Sequence, residues 1–521
     1  MVKVVDFHTQ FSVHELPGYG RLPADEGRNI LAGIAPLLPK ILLIADGTKL
    51  AVETHQIDTP MLRRSRAILN EVGDIVGVKR LASGEKQGLT KCRVDSPTEI
   101  SIELIAPDLE AGEHASRDEL LDLARVDMSP QLEVVHSAFR DRIVDLQASG
   151  CTPPSKTDWQ SLVDIGRKYL EMNRQEYAEA DAFGSEARLG PLKFSEWRAI
   201  AESICAEGFA RACIEDCNLA HTGDFSATRF LLMPPTAISS DDVTICIERA
   251  LANSNSELQD EIKSCFILTA ADDGISCDDS DYSYPLLIGS GDTFIMPRYS
   301  RLANPYLFLL SRLMRKYEQD LTTARDEREA PFQADLHKLF ENENYVIAAP
   351  NAKLHEDNGN DLTDIDAAIY EKTTNSVYLF QLFWPDVQAD DLKRSDKQYK
   401  RLRGKTKWLY DVRGWVDNHS IEELIDRLKL QDCDIDITSL HVKYIMLSRW
   451  WTNFSGKKPY DAAGAWVSWS YFQLLLKKSE NSNAALAYAY AEARKYLQES
   501  RSLSGKKTNY QLGNISVLLT I

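Results

Sequence analysis

The sequence predicts a mixed α/β protein built from several folding units. Its 521 residues exceed the size at which a single hydrophobic core stops growing, so two to four domains are expected. Stretches with apolar residues three and four positions apart, typical of helices, alternate with short apolar runs typical of strands. Beyond Pro305 the order is helix, strand, hairpin, helix, strand, helix, which is the order of a small α/β domain.

Composition and net charge limit the classes of protein to which this chain can belong. Hydrophobic residues make up 44% and charged residues 26% of the chain, as in ordinary globular proteins. The formal charge of −18 argues against a protein that coats nucleic acid or an anionic membrane over its whole surface, so any nucleic-acid binding needs a local basic patch. The nine cysteines are an odd number in a long chain, a pattern typical of reduced thiols.

The sequence shows neither a membrane-spanning run nor a secretory signal, which predicts a cytoplasmic location. The longest apolar runs, such as YLFLLSRLM at 306–314, are interrupted by Arg or Lys well before the roughly 20 residues that span a bilayer. The first twenty residues carry charged side chains and lack the apolar core of a secretory signal. We therefore expect a cytoplasmic protein without a membrane partner.

Three units are predicted along the chain. Residues 1–135 mix strand-like runs (PKILLIAD, EISIELIAP) with polar turns and are predicted to form an α+β N-terminal domain. Residues 136–300 have helical spacing and are predicted to be a mainly helical middle domain, with a mixed β segment near 240–298. Residues 301–521 are predicted to form the α/β domain, whose first helical segment is expected to break or kink near Pro331.

The segment TDIDAAIYEKTTNSVYLFQLFW at 363–384 carries the predicted chemistry. It is expected to form two strands joined by a turn, with Asp364 and Asp366 on one face of the first strand and Gln381 on the second. Mg²⁺ prefers oxygen ligands from a few carboxylates, carbonyls and water, and such a hairpin can supply them. Glu329 is expected to lie on the buried stripe of the preceding helix and to point towards the same sheet.

A basic segment follows directly. LKRSDKQYKRLRGKTKW at 392–408 is predicted to be a helical run that binds the phosphates of DNA or RNA, with Tyr399 and Trp408 stacking on exposed bases. A solvated helix face paired with acidic neighbours is the alternative interpretation. The predicted nucleic-acid-binding residues are Lys393, Arg394, Lys397, Lys400, Arg401, Arg403, Lys405 and Lys407.

Together these motifs resemble the PD-(D/E)xK, or restriction-endonuclease-like, superfamily in its Q-x-K branch, over roughly residues 320–475. The resemblance implies a restriction-endonuclease-like C-terminal domain in which Glu329, Asp366 and Gln381 hold Mg²⁺ or Mn²⁺. It also implies metal-dependent cleavage of DNA, or alternatively of RNA, and a role in prokaryotic defence against phage or foreign DNA. A protein partner or a homo-oligomer is expected as well.

The sequence departs from the family pattern at the lysine. Phe383 stands where that cation is expected, and a phenyl ring cannot polarise water or stabilise charge on a phosphate. Lys393 or Lys397 on the following helix are the predicted replacements. If the preceding helix begins only after Pro331, the residue that follows Phe332 is Gln333, and Asp366 is the only carboxylate left in a firmly assigned position.

Two alternatives to an active nuclease remain. The first is a pseudonuclease that keeps the fold for nucleic-acid binding or scaffolding, with Phe383 filling the former active site. The second is an adaptor in which the hairpin is an ordinary surface feature with solvated Asp side chains and the basic run pairs with an acidic protein.

Overall fold

A computed structural model describes most of the chain. The described residues are Leu37 and the ranges 59–105, 117–123, parts of 130–148, 156–174, 177–222, 236–251, 256–269, 285–289, 292–297, 304–356, 358–387, 392–452, 461–479, 482–498 and 507–520. Helices and strands both contribute throughout, which confirms the predicted α/β class. In the described residues no helix has the length and apolar character needed to cross a bilayer.

A five-stranded mixed sheet organises the C-terminal part, in the order β15-β14-β13-β12-β9. The three strands β9, β12 and β13 are antiparallel neighbours, whereas β13, β14 and β15 run parallel. The predicted hairpin is present as β12 and β13, joined by a short turn in which Asn375 adopts a left-handed conformation (φ 44°). The five strands are β9 (Tyr345–Ile347), β12 (Ala367–Glu371), β13 (Ser376–Phe383), β14 (His441–Ser448) and β15 (Ala465–Ser468).

Strand alternation divides the central strands between two cores. Along β13, Val377 and Leu379 pack on one side of the sheet, while Tyr378, Phe380 and Leu382 pack on the other. A sheet buried on both faces needs helices on both, and the chain supplies them. The helices are α8 (Glu329–Lys338), α11 (Trp469–Lys478) and α12 (Ala485–Gln498) on one face, and α9 (Leu392–Asn418) and α10 (Ile421–Arg427) on the other.

A small second hairpin precedes the central strands. Strands β10 (Ala352–His355) and β11 (Asp361–Ile365) pair only with each other in an antiparallel ribbon beside the main sheet. Trp415 of α9 donates through its indole nitrogen to the carbonyl oxygen of His355 at 2.9 Å. The long basic helix is therefore anchored to this ribbon.

The helices before the sheet break at places other than Pro331. They are α6 (Pro305–Lys316), α7 (Leu321–Asp326) and α8, and Pro331 is the third residue of α8. The first backbone N–H groups of a helix have no acceptor within the helix, so proline costs little there. The break expected near Pro331 is present at Glu327 and Arg328, just before α8, and α8 already includes Glu329.

The middle part has its own core, to which α2 (Lys156–Asn173) and α3 (Phe194–Thr222) contribute together with the segments around them. Leu309, Leu313 and Leu321, from α6 and α7, are buried in this same core, so these two helices pack with the middle part of the chain. The other elements here are β3 (Arg188–Leu189), β4 (Leu192–Lys193), β5 (Thr236–Ser239), α4 (Ser240–Ala250), α5 (Ser256–Phe266), β6 (Ile267–Leu268), β7 (Leu287–Ile288) and β8 (Thr293–Met296).

The two ends of the described chain share one sheet. Helix α1 (Thr59–Ser83) precedes the hairpin β1 (Thr90–Ser96) and β2 (Glu99–Leu104), and β2 pairs in parallel with the last strand. The order is β1-β2-β17-β16, where the last two strands are β16 (Lys507–Leu512) and β17 (Ile515–Thr520). The predicted strand EISIELIAP is confirmed at β2, while PKILLIAD lies outside the described residues. The division at 135 and 301 thus separates strands that belong to one sheet.

Candidate functional site

The candidate site begins where the first predicted strand is interrupted. Strand β11 ends at Ile365 and β12 begins at Ala367, so Asp366 sits at the break between them. Asp364 belongs to β11 and is exposed, whereas Asp366 is only 2% exposed. The expectation that both side chains share one face of a single strand is therefore wrong, because the chain changes partners between them.

The carboxylate of Asp366 is held from β13. Ala367 pairs with Phe380, which places Asp366 beside Gln381 in the register of the hairpin. Gln381 donates through its side-chain nitrogen to Asp366 Oδ2, and the backbone N–H of Leu382 donates to the same oxygen at 2.6 Å. These two donors fix the orientation of a carboxylate that is otherwise buried.

Helix α8 contributes Glu329 and Gln333 to the same site. Glu329 is exposed, so the expectation that it lies on the buried stripe is wrong; that stripe consists of Phe332, Gln333 and Leu336. Gln333, one turn after Glu329, donates to the main-chain carbonyl oxygen of Asp366. Both residues that the sequence proposed as alternatives therefore face the site.

Asn351 joins the helix to the strand break. It has a left-handed backbone (φ 54°), which Asn tolerates better than most residues, and its backbone N–H lies 3.4 Å from the Asp366 carbonyl oxygen. With its amide nitrogen turned towards α8, it donates to Glu329 Oε1 at 3.2 Å. Glu329, Asp366 and Gln381 thus converge through a single connected group of hydrogen bonds.

Burial and neighbouring negative charges raise the pKa of two acids of the site, Asp366 and Glu329. Burial raises the pKa of Asp366 to about 7, even though the Leu382 N–H favours the ionised form; the negative charges of Glu329 and Asp364 raise it as well. Partial burial and the charge of Asp364 also raise the pKa of Glu329. Three acidic residues therefore interact electrostatically, and a cation placed among them would relieve their mutual repulsion.

One cation of α9 acts on both acids. Lys405 is half-buried, and its positive charge opposes the rise in pKa of Asp366 and of Glu329. Trp408, one turn later on α9, donates through its indole nitrogen to the carbonyl oxygen of Asp364 at 2.5 Å, which seats this part of the helix against β11. Lys405 is therefore the described cation that acts on both acids, whereas the sequence named Lys393 and Lys397 as the cations of the site.

The other predicted cations lie along the same helix. Lys397, Lys400, Arg401, Arg403 and Lys407 are exposed, while the side chains of Lys393 and Arg394 lie outside the described residues. Lys407 pairs with Asp411 of the next turn at 3.1 Å. The described cations therefore form an exposed basic face on α9.

The aromatic residues of this segment do not follow the prediction. Trp408 is 5% exposed and belongs to the core between α9 and the sheet, so its predicted stacking on nucleic-acid bases is wrong. Tyr399 is half-buried against the same core. Tyr410, which is 75% exposed and one helical turn from Lys407, is the aromatic that α9 offers to solvent.

A buried ion-pair cluster fixes the start of α8 next to the site. Asp386, just after β13, accepts two hydrogen bonds from Arg325 at 2.9 and 2.8 Å and one from Arg328 at 2.8 Å. Gln398 of α9 also donates to Asp386 at 3.3 Å. Because Arg328 immediately precedes Glu329, this cluster sets the position of Glu329 relative to β13 and α9.

The donor set suits a hard divalent cation better than a soft one. The described side chains around Asp366 offer carboxylate oxygens and neither thiol nor imidazole, a chemistry that would suit Mg²⁺ or Mn²⁺ better than zinc. Among the residues that the structure describes, no group of three or more His, Cys, Asp or Glu side chains is already spaced as a metal cage. Mg²⁺ needs only one or two carboxylates when water and substrate complete its shell.

Sequence reasoning missed three contributors. Asn351 lies in a loop without a recognisable motif, directly before β10, although Asn tolerates a left-handed backbone better than most residues. Gln333 was considered only as a substitute for Glu329, and Lys405 was assigned to phosphate binding rather than to the acidic group. The helical spacing of Lys405 and Trp408 was the available signal, because a buried Trp marks the side of a helix that faces the sheet.

Comparisons with known proteins leave the family open. The chain matches no family model, no curated protein and no solved structure.

Proposed function

We propose that this protein is a metal-dependent phosphodiesterase that cleaves nucleic acid, with DNA as the first candidate substrate. One observation carries the proposal: Glu329, Asp366, Gln381 and Lys405 come together from a helix, a strand break, the neighbouring strand and a second helix. The order of helix, antiparallel strands, helix and parallel strand around them supports a restriction-endonuclease-like domain. The site combines acidic side chains with one lysine and lies beside an exposed basic helix. This combination suits a negatively charged phosphodiester better than a neutral substrate.

Each residue has a distinct part in the proposed reaction. Asp366 and Glu329 would hold Mg²⁺ or Mn²⁺, and the bound cation would supply charge stabilisation and lower the pKa of a bound water. Gln381 and the Leu382 N–H keep the Asp366 carboxylate in one orientation. Lys405 supplies a positive charge close to the acids, where it can stabilise charge that develops on a phosphate oxygen.

Substrate would approach along α9. The exposed Lys400, Arg403 and Lys407 recur at helical spacing and offer phosphate contacts beside the acids, and Tyr410 offers a ring for stacking. In an otherwise acidic protein this face would be the local entry point for nucleic acid. We propose a cytoplasmic role in defence against phage or foreign DNA, with a protein partner or a second copy of the chain.

The test is plasmid cleavage by the full chain with Mg²⁺ or Mn²⁺ and, separately, with EDTA. Wild-type protein is expected to nick or linearise the plasmid only with the metal, and Asp366→Asn is expected to lose this activity while keeping its fold. Asp361→Asn, an exposed acid at the far end of β11, is the matched control. Equal cleavage by both variants would show that the activity does not arise at this site.

The second candidate is a pseudonuclease that binds nucleic acid without cutting it. Phe383 favours this function: it lies on the same side of β13 as Gln381, packed against the core under α9, and carries no charge. Salt-sensitive DNA binding by wild-type protein, with no cleavage under either metal, would support it. Absence of both binding and cleavage would rule out the two candidates together.

A further inference from the structure

A polar cavity is lined by residues other than those of the candidate nuclease site. It has a volume of about 560 Å³ and opens between helices α2 and α3 of the middle unit and the region where β14 ends and α11 begins. Four arginines and three aromatic rings contribute to its wall, against two carboxylates. The arginines are Arg117, Arg174, Arg198 and Arg449, the aromatics Tyr177, Trp450 and Trp469, and the acids Glu171 and Asp181.

Two of these arginines are already paired. Arg174 binds Glu202 through two nitrogens, at 2.7 and 2.8 Å, and Tyr306 donates to the same carboxylate at 2.7 Å. Arg449, buried at the end of β14, binds Asp181 at 2.5 Å and Asp335 of α8 at 2.9 Å. These pairs hold the two walls of the cavity in place, so its shape does not depend on a ligand.

Arg198 is different. One of its terminal nitrogens donates to the carbonyl oxygen of Ala180 at 2.7 Å, and its guanidinium lies 5.4 Å from the ring of Phe194. Its Nε is buried without an acceptor, and within the described residues no carboxylate oxygen lies in ion-pair distance. Burial and the positive charge of Arg174 lower the pKa of Arg198, although the negative charges of Glu202 and Asp181 act in the opposite direction.

A second orphan donor lines the same cavity. The indole N–H of Trp450 is buried and finds no acceptor among the described residues. A buried donor without a partner costs about 1–3 kcal/mol, so two such groups on one cavity wall indicate a missing acceptor. Guanidinium and indole donors together are satisfied by an oxyanion with several oxygens.

We propose that this cavity binds a phosphate-bearing anion, with Arg198 and the Trp450 indole as donors to the phosphate. A phosphate alone fills only a fraction of the available volume, and the partly buried rings of Tyr177 and Trp450 also line the cavity, so a nucleoside monophosphate is the favoured ligand class. The ligand would contact the middle unit and the sheet unit at once. The proposal does not depend on the nuclease function.

Isothermal titration calorimetry of the full chain tests the proposal, with AMP and inorganic phosphate as the two probes. Saturable binding of AMP, lost at least tenfold in Arg198→Met, is the expected result, because a charge-assisted hydrogen bond is removed. Binding of both probes with equal affinity would assign the site to phosphate alone, whereas tighter binding of AMP would show that the aromatic faces contribute. No saturable binding of either probe overturns the proposal.

Controls separate this site from folding defects and from the nuclease-like site. Arg188→Met removes an exposed arginine of the same unit and is expected to leave AMP binding unchanged. Arg198→Lys keeps the charge and is expected to bind with intermediate affinity, and circular dichroism checks that each variant is folded. Asp366→Asn is also expected to bind AMP normally. Binding that persists in Arg198→Met, or disappears in Asp366→Asn, would place the ligand elsewhere.

Discussion

Gln381 and the Asp366 carboxylate are joined by a hydrogen bond across neighbouring strands, although β12 itself begins one residue after Asp366. The bond holds an acid that burial would otherwise drive to its neutral form. Asp366 therefore affects the free energy of unfolding and is also the central residue of the candidate site.

The first prediction concerns stability against pH. The folded state raises the pKa of Asp366 from 3.8 to about 7, so its contribution is most favourable below pH 4 and is lost as the pH rises through 7. That difference corresponds to at most about 4 kcal/mol. Asp366→Asn, which stays neutral and can still accept both hydrogen bonds, should be more stable than wild-type protein at pH 8 and lose this advantage near pH 4, as measured by urea unfolding. A constant difference across this range would contradict the burial of the charge.

The second prediction concerns cleavage against pH. A cation must displace the proton of neutral Asp366, so cleavage with Mg²⁺ should increase as the pH rises through about 7. Single-turnover rates between pH 5.5 and 9 measure this. A rate that is flat across the interval would show that neither carboxyl controls the reaction.

The third prediction assigns the cation. Lys405→Met should lower the single-turnover rate at saturating DNA by about 10²–10³-fold, the usual effect of removing one donor that stabilises developing charge. It should also move the pH midpoint upwards, because Lys405 favours ionised Asp366 and Glu329. Lys397→Met is the matched control and should keep both the rate and the midpoint. The reverse outcome would restore Lys397 as the replacement lysine.

The fourth prediction concerns nucleic-acid binding by α9. Arg403→Gln and Lys407→Gln should each weaken DNA binding and reduce the slope of log affinity against log salt by about 0.9, one phosphate contact each. Lys495→Gln, an exposed lysine on α12 at the opposite face of the sheet, is the control. Fluorescence anisotropy at several salt concentrations gives the slopes, and equal slopes for all three variants would exclude α9 as the binding face.

The fifth prediction concerns the ion-pair cluster at Asp386. Burial by itself would raise the pKa of Asp386, but Arg328 and Arg325 hold it below its usual value. Its stabilising effect is therefore present above pH 4 and is lost as the pH falls through the folded-state pKa. Asp386→Asn should lower the free energy of unfolding at pH 7 by about 3–5 kcal/mol, because it leaves a buried Arg328 without its carboxylate.

Urea unfolding at pH 7 and pH 3 measures this effect, with Asp361→Asn as the control. Asp361 pairs with Lys353 at 2.8 Å on an exposed strand, so only a small change is expected. A loss of stability in Asp386→Asn that is as large at pH 3 as at pH 7 would contradict the pairing.

Local pattern was sufficient for the elements with strong periodicity. The alternation in VYLFQLF identified β13, and the apolar positions in the basic segment matched helix α9, because one buried face imposes its period on the sequence. The family resemblance, and not the local pattern, named Glu329, Asp366 and Gln381 as a set. The local pattern failed at Asp366, where the change of strand partner from β10 to β13 leaves no local signature.

The sequence by itself determined the α/β class, the central hairpin, the basic helix and the acids at its edge, because these follow from side-chain period and charge within short windows. Only the tertiary structure decided that Lys405 acts on those acids, that Trp408 lies in the core, and that β17 pairs with β2. Each of these depends on how two distant elements pack, and packing is set by the combined shape of both surfaces, which neither segment encodes alone.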